Sequence, residues 1–265
     1  MRASVRGVLA VAVASVTVYW GSTAVDTAGL SLPMSSAIES VTPARGDVVG
    51  IAQPVVITFK ESVADQAVTE RALSVRTGTE TAGKFEWLNN KVVQWVPDEF
   101  WPAHSTVSLT VAGAQTEFKT GPAVVGVASI SQHTFTVTID GQSPIDLPSP
   151  HHLPHAGEPG VLLASLGSPE YATPVGTYPV LAKDRHVTMD SSSVGIPIDD
   201  PDGYLTDVEF AVRISARGLY VHSAPWAVES MGFENVSHGC ISLAPAAAEW
   251  YFNTVKVGDP VIVEE

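Results

Sequence analysis

Apolar and polar residues alternate in short runs over 54–59, 72–75, 84–88, 91–96 and 106–111. A period of two sends one face of each run to a core and the other to water, the signature of half-buried strands. Turn-forming residues separate the runs, so this stretch predicts a β-sandwich. The pair Asn89-Asn90 stands between two aromatic-rich runs and predicts a tight hairpin, since asparagine tolerates positive φ. Trp87 and Trp95 alternate with polar neighbours and are expected in the core rather than on a sugar-stacking platform.

A second series of strands begins after Thr120-Gly121-Pro122, with runs at 123–130, 134–139, 173–178, 184–189 and 210–214. The apolar run 218–221 is expected to pair with the segment leading to Cys240. One helix is predicted, opening at Pro245 as a first-turn proline and closed by Gly258, before a last strand at 260–263. The fold class is therefore mainly β, with domains expected at 43–121 and 122–265 and a small, polar, proline-containing linker over 29–42.

The amino terminus departs from this pattern. Arg2 and Arg6 precede an apolar run over 8–20, followed by small residues, which predicts a secretory signal or membrane anchor within 1–28, with cleavage near Ala24 or Ala28. The run is shorter than the roughly 20 residues that span a bilayer comfortably. Export to the periplasm, the cell wall or the outer face of the cytoplasmic membrane follows as an expectation.

Charge narrows the function. With 28 acidic against 14 basic residues the formal charge is −14, and no basic stripe is left to neutralise phosphates, so nucleic-acid partners are excluded. His151, His152 and His155 lie in a proline-rich loop over 143–160, but no thiol or carboxylate stands beside them at firm ligand spacing. Neither a metal site nor a cofactor is expected.

Cys240 is the one cysteine among 265 residues. In an exported chain it has no intramolecular partner for a disulfide, which leaves an inert buried residue, an intermolecular bridge or a reactive thiol. A cysteine attacks as thiolate and needs a proton acceptor or a positive field nearby. Two histidines are at hand: His238, two residues before it, and His222, at the end of the 218–221 run. The residues alone leave the choice of base between them open. Gly239 removes a side chain beside the sulfur, and the amides of Gly239 and Cys240 are candidate oxyanion donors.

From His222 to Cys240 the chain resembles the L,D-transpeptidase family of bacterial cell-wall enzymes, with a YkuD-type catalytic domain. The mark of that family is a histidine, a gap in the mid-teens, then Ser or Thr, His, Gly and Cys. Thr173-Pro174-x-Gly176-x-Tyr178, Met189-Asp190-Ser191-Ser192, Gly203-Tyr204 and His222-Ser223-Ala224-Pro225-Trp226 look like the mycobacterial-type members, and the preceding sandwich with Trp87, Trp95 and Glu99-Phe100-Trp101 resembles the immunoglobulin-like domain those enzymes carry.

The resemblance implies Cys240 as the acylated nucleophile and His222 as general base, its ring oriented by the backbone carbonyl of Ser223. It implies His238 and Gly239 around the thiol, Tyr204 and the Cys240 amide at the oxyanion and substrate site, and Met189, Arg217, Gly218 and Ser242 as substrate contacts. Ser242 stands where the family usually has asparagine. The implied reaction joins peptidoglycan stem peptides by 3→3 cross-links with loss of D-alanine, needs no cofactor, and is open to covalent inhibition by carbapenem β-lactams. A monomer is expected. The alternatives are an L,D-carboxypeptidase and a catalytically weak wall-binding protein.

Overall fold

The computed structural model describes residues 34–73, 75–77, 81–145, 147–148 and 154–265. Within the first part the elements run α1 (Met34–Ala37), β1 (Ile38–Thr42), β2 (Val48–Val49), β3 (Val55–Phe59), α2 (Gln66–Leu73), β4 (Arg76–Thr77), β5 (Gly83–Trp87), β6 (Val92–Pro97), β7 (Thr106–Val111) and β8 (Ala114–Thr120). One sheet is ordered β1-β3-β6-β5 and a second β2-β8-β7-β4. Alternation does what it predicts on β3, where Val55, Ile57 and Phe59 are buried and Val56 and Thr58 are less so. Trp95 is buried, and Trp87 stacks on Phe59 at 5.9 Å between centroids, so both serve packing.

Three expectations change. The run 72–75 begins inside helix α2, not on a strand: the Asp65 carboxylate accepts the Val68 amide at 2.9 Å and caps the first turn, a local signal stronger than a short alternation. Residues 38–42, assigned to the linker by composition, form β1 and pair antiparallel with β3 through Val41↔Ile57. The Asn89-Asn90 connection is tied by the Asn89 side chain, whose Oδ1 accepts the amides of Lys91 and Val92 at 2.8 and 3.0 Å, and neither asparagine takes a positive φ.

The second part holds β9 (Val124–Ser129), β10 (Thr134–Ile139), β11 (Val161–Ser165), β12 (Gly176–Pro179), β13 (Ala182–Asp190), β14 (Leu205–Arg213), β15 (Tyr220–Ser223), β16 (Ile241–Leu243), α3 (Pro245–Thr254) and β17 (Pro260–Glu264). These strands form one sheet in the order β12-β17-β9-β10-β11-β16-β15-β14-β13. Helix α3 begins on its proline as predicted and packs against β14 and β15, with Tyr251 edge-on to Phe135 at 4.8 Å.

By contacts the chain divides into two compact units, and the segments Gly46–Pro54 and Glu99–Val107 group with the second. Within that unit the amides of Gly50 and Ala52 donate to the carbonyls of Val257 and Gly258 at 2.8 and 2.7 Å.

The position that matters for chemistry is the parallel pair β15 and β16, in register at Val221↔Ile241, His222↔Ser242 and Ser223↔Leu243. Parallel neighbours cannot be joined by a tight hairpin and need a crossover. Residues 224–240 make that crossover through a 3-10 turn over Pro225–Ser230, and its last residue, Cys240, is delivered to the entrance of β16.

Candidate active site

Cys240, His222, His238, Tyr204, Met189 and Ser242 line one cleft of about 640 Å³, open to solvent. Arg217 and Gly218 line a neighbouring cleft of about 900 Å³, which shares Met189 and Tyr204 with the first. The Cys240 sulfur joins the two, because it lies 3.7 Å from the Gly218 carbonyl oxygen, to which the thiol donates.

His222 is buried, and its Nδ1 lies 2.8 Å from the backbone carbonyl oxygen of Ser223. A carbonyl only accepts, so Nδ1 carries the proton in the neutral ring and Nε2 keeps its lone pair. Burial holds the imidazole pKa below its ordinary value, opposed by the Ser223 carbonyl. Burial also pushes the Cys240 thiol up to about 11, with the Tyr220 backbone amide pulling the other way. At neutral pH the pair is therefore an uncharged thiol and an uncharged imidazole, suited to proton transfer as the new bond forms.

His238 sits differently. Its ring lies between those of Tyr171 and Tyr204, at 4.7 and 5.0 Å between centroids. Of the two histidines that the sequence left open as base, His222 is the one whose tautomer the backbone sets. Tyr204 is half-buried, and its phenol pKa is raised by burial and by the neighbouring Cys240. Ser242 is buried on β16, facing His222 on one side and Ser165 on the other in register.

The loop before the nucleophile is bonded to itself and to the sheet. The Ser237 hydroxyl donates to the Cys240 carbonyl at 2.6 Å and accepts the Gly239 amide at 3.1 Å. Gly239 is thus not a free oxyanion donor, contrary to expectation, because its N–H is used within the loop. Nor is it glycine to clear space for an approaching substrate: a Cβ there would meet Leu219 and the Tyr171 carbonyl at an ordinary 3.5 Å, while its φ of +113° is what side chains resist.

Two residues without an assigned role from sequence complete the loop. Asn235 accepts the Leu166 amide at 2.9 Å and donates to the Ile130 carbonyl at 2.9 Å. Buried Thr173 accepts the Gly167 amide and donates to the Gly239 carbonyl, both at 2.8 Å. Thr173 opens the Thr-Pro-x-Gly-x-Tyr run, yet no local pattern marks its partner 66 residues away.

Among the described residues no group of three His, Cys, Asp or Glu side chains could hold a metal ion. His155 is bonded to Glu158 at 3.0 Å, and His151 and His152 lie outside the described residues.

Residues 23–117 match the bacterial Ig domain family, and residues 116–263, which contain every element of the cleft, match the L,D-transpeptidase catalytic domain. The chain belongs to the L,D-transpeptidase family. The probable L,D-transpeptidase 3 of Mycobacterium tuberculosis (strain ATCC 25618 / H37Rv) is 63% identical over 235 residues, covering 86% of this chain and 87% of the relative. A crystal structure of L,D-transpeptidase 3 from Mycobacterium tuberculosis in complex with a faropenem-derived adduct superposes with a TM-score of 0.82 at 63% identity, over 86% of this chain and 98% of that one. LD transpeptidase LdtMt1 in complex with imipenem is 46% identical, with a TM-score of 0.77 over 86% of this chain and 99% of that one. Family membership makes the chain a transpeptidase, mainly β, with an Ig domain ahead of the catalytic domain.

Proposed function

We propose that this L,D-transpeptidase forms 3→3 cross-links between peptidoglycan stem peptides through a thioester on Cys240. The observation that carries the reading is the bond from His222 Nδ1 to the Ser223 carbonyl, which leaves Nε2 basic in the cleft that holds the sulfur. As Sγ bonds to the carbonyl carbon of the diamino acid at the third position of a donor tetrapeptide, the thiol proton passes to His222 Nε2. The tetrahedral oxyanion is received by the Cys240 amide and the Tyr204 hydroxyl. The C–N bond to D-alanine breaks, the leaving amine takes the proton from His222, and a thioester remains. An acceptor amine then attacks, His222 removes its proton, and the returning thiolate is protonated. The thioester conserves the energy of the bond it replaced, so no nucleotide is needed outside the cytoplasm.

Met189, Ser242, Arg217 and Gly218 contact the stems in this reading, with His238 shaping the approach between Tyr171 and Tyr204. Ser242 supplies a hydroxyl where the family usually places an amide. The exported location and a monomeric state belong to the same proposal, as does the division at residue 121 between Ig and catalytic domains. The β-lactam complexes of the two solved relatives support a thiol that acylates readily.

Incubation with a disaccharide-tetrapeptide tests the reaction. Cross-linked dimers with released D-alanine are expected; free tripeptide alone would make the enzyme a carboxypeptidase, and wall retention without turnover would make it a binding protein.

A further inference from the structure

We propose that Thr173 is a positioning residue of the oxyanion site, holding and polarising the peptide unit between Gly239 and Cys240. The inference rests on the acyl-transfer reading above.

The Thr173 side chain is 2% exposed, and its one hydroxyl proton has a determined destination. The Gly167 amide donates to Oγ1 at 2.8 Å, so the hydroxyl accepts there and must spend its own proton on the Gly239 carbonyl oxygen, also at 2.8 Å. Gly167 makes this approach possible: a Cβ on it would lie 2.1 Å from the Tyr171 oxygen and 2.6 Å from the Thr173 nitrogen.

The carbonyl that Thr173 grips belongs to the peptide unit whose N–H is that of Cys240. In a planar trans peptide the N–H points opposite the C=O, so a carbonyl turned toward buried Thr173 turns the Cys240 amide away from it. Among the described residues that amide has no hydrogen-bond acceptor, whereas the preceding one, of Gly239, is consumed by Ser237. A hydrogen bond at the oxygen end of a peptide draws electron density through its resonance and strengthens the donor at the nitrogen end. Thr173 therefore acts on the reacting carbonyl through the backbone of the nucleophile, without touching substrate.

Two reactions at the same sulfur separate this role from general support of the fold. Acylation by imipenem passes through an oxyanion, whereas alkylation by iodoacetamide occurs at saturated carbon and builds none. In Thr173→Val, imipenem acylation should slow by about tenfold or more while iodoacetamide alkylation stays within about twofold of wild type. Thr173→Ser, which keeps the hydroxyl, should restore acylation. Should Thr173→Val not fold, Thr173→Ala carries the same expectations. Equal slowing of both reactions, or acylation as fast as wild type, would overturn the proposal. A wild type that imipenem never acylates would instead overturn the functional reading on which it stands.

Discussion

The hydroxyl of Ser237 closes the nucleophile's loop on itself, donating to the Cys240 carbonyl at 2.6 Å and accepting the Gly239 amide at 3.1 Å. Ser237→Ala removes both bonds, should cost about 1 to 2 kcal/mol of stability, and should slow Cys240 acylation by about tenfold as the loop loosens. Ser237→Thr keeps the hydroxyl and should retain activity. Thermal unfolding and β-lactam acylation rates measured on the two variants check this.

Gly239 adopts φ +113° in a place with room for a methyl group. Gly239→Ala is therefore expected to destabilise by about 1 to 3 kcal/mol through the backbone alone. Urea unfolding should show the loss, and a neutral result would mean that the loop accommodates the methyl by changing its dihedral.

The thiol's elevated pKa of about 11 gives the alkylation profile a definite shape. The iodoacetamide rate at Cys240 should climb through pH 9, reach half its maximum near pH 11 and level only above that, because the thiolate is the nucleophile. A plateau near neutrality would reveal a thiolate-imidazolium pair instead. Stability moves with the same group: between the unfolded thiol's pKa, about 8.5, and the folded value the native state binds more protons, so stability falls as pH rises. Cys240→Ala should abolish that fall.

Asp259 offers a second titration. It is 1% exposed, its Oδ2 accepts the Lys256 amide at 2.7 Å, its Oδ1 has no hydrogen-bond partner among the described residues, and burial pushes its pKa up to about 7 against the pull of the Lys256 amide and the charges of Lys256 and Lys183. The folded state therefore keeps a proton that the unfolded chain releases near pH 4, and stability should decline from about pH 4 to pH 7, at up to about 1.4 kcal/mol per unit. Denaturant unfolding across that range should show the decline in wild type and a flatter profile in Asp259→Asn, which keeps an oxygen for the Lys256 amide.

Much of this site could be found along the chain because its defining residues are local. Cys240, Gly239, His238 and Ser237 are contiguous, and His222 follows an apolar run expected to pair with the segment leading to Cys240, whereas β15 pairs with β16, the segment that comes after it. What stayed hidden depends on partners far apart or on bonds that composition does not encode. Thr173 meets Gly239 across 66 residues, and the Gly239 amide is diverted to a side chain two residues back. Helix α2 went unseen because its short apolar run fits either period, and only the Asp65 cap distinguishes them. Strand β1 was hidden by small polar residues that composition assigns to a linker, although Val41 pairs with Ile57.

In the proposed reaction Cys240 is the residue acylated, in the cleft it shares with His222. Intact mass after incubation with a carbapenem tests it most directly. Wild type should gain the mass of one carbapenem-derived adduct and Cys240→Ala none. No adduct on wild type, or an equal adduct on the variant, would contradict the account.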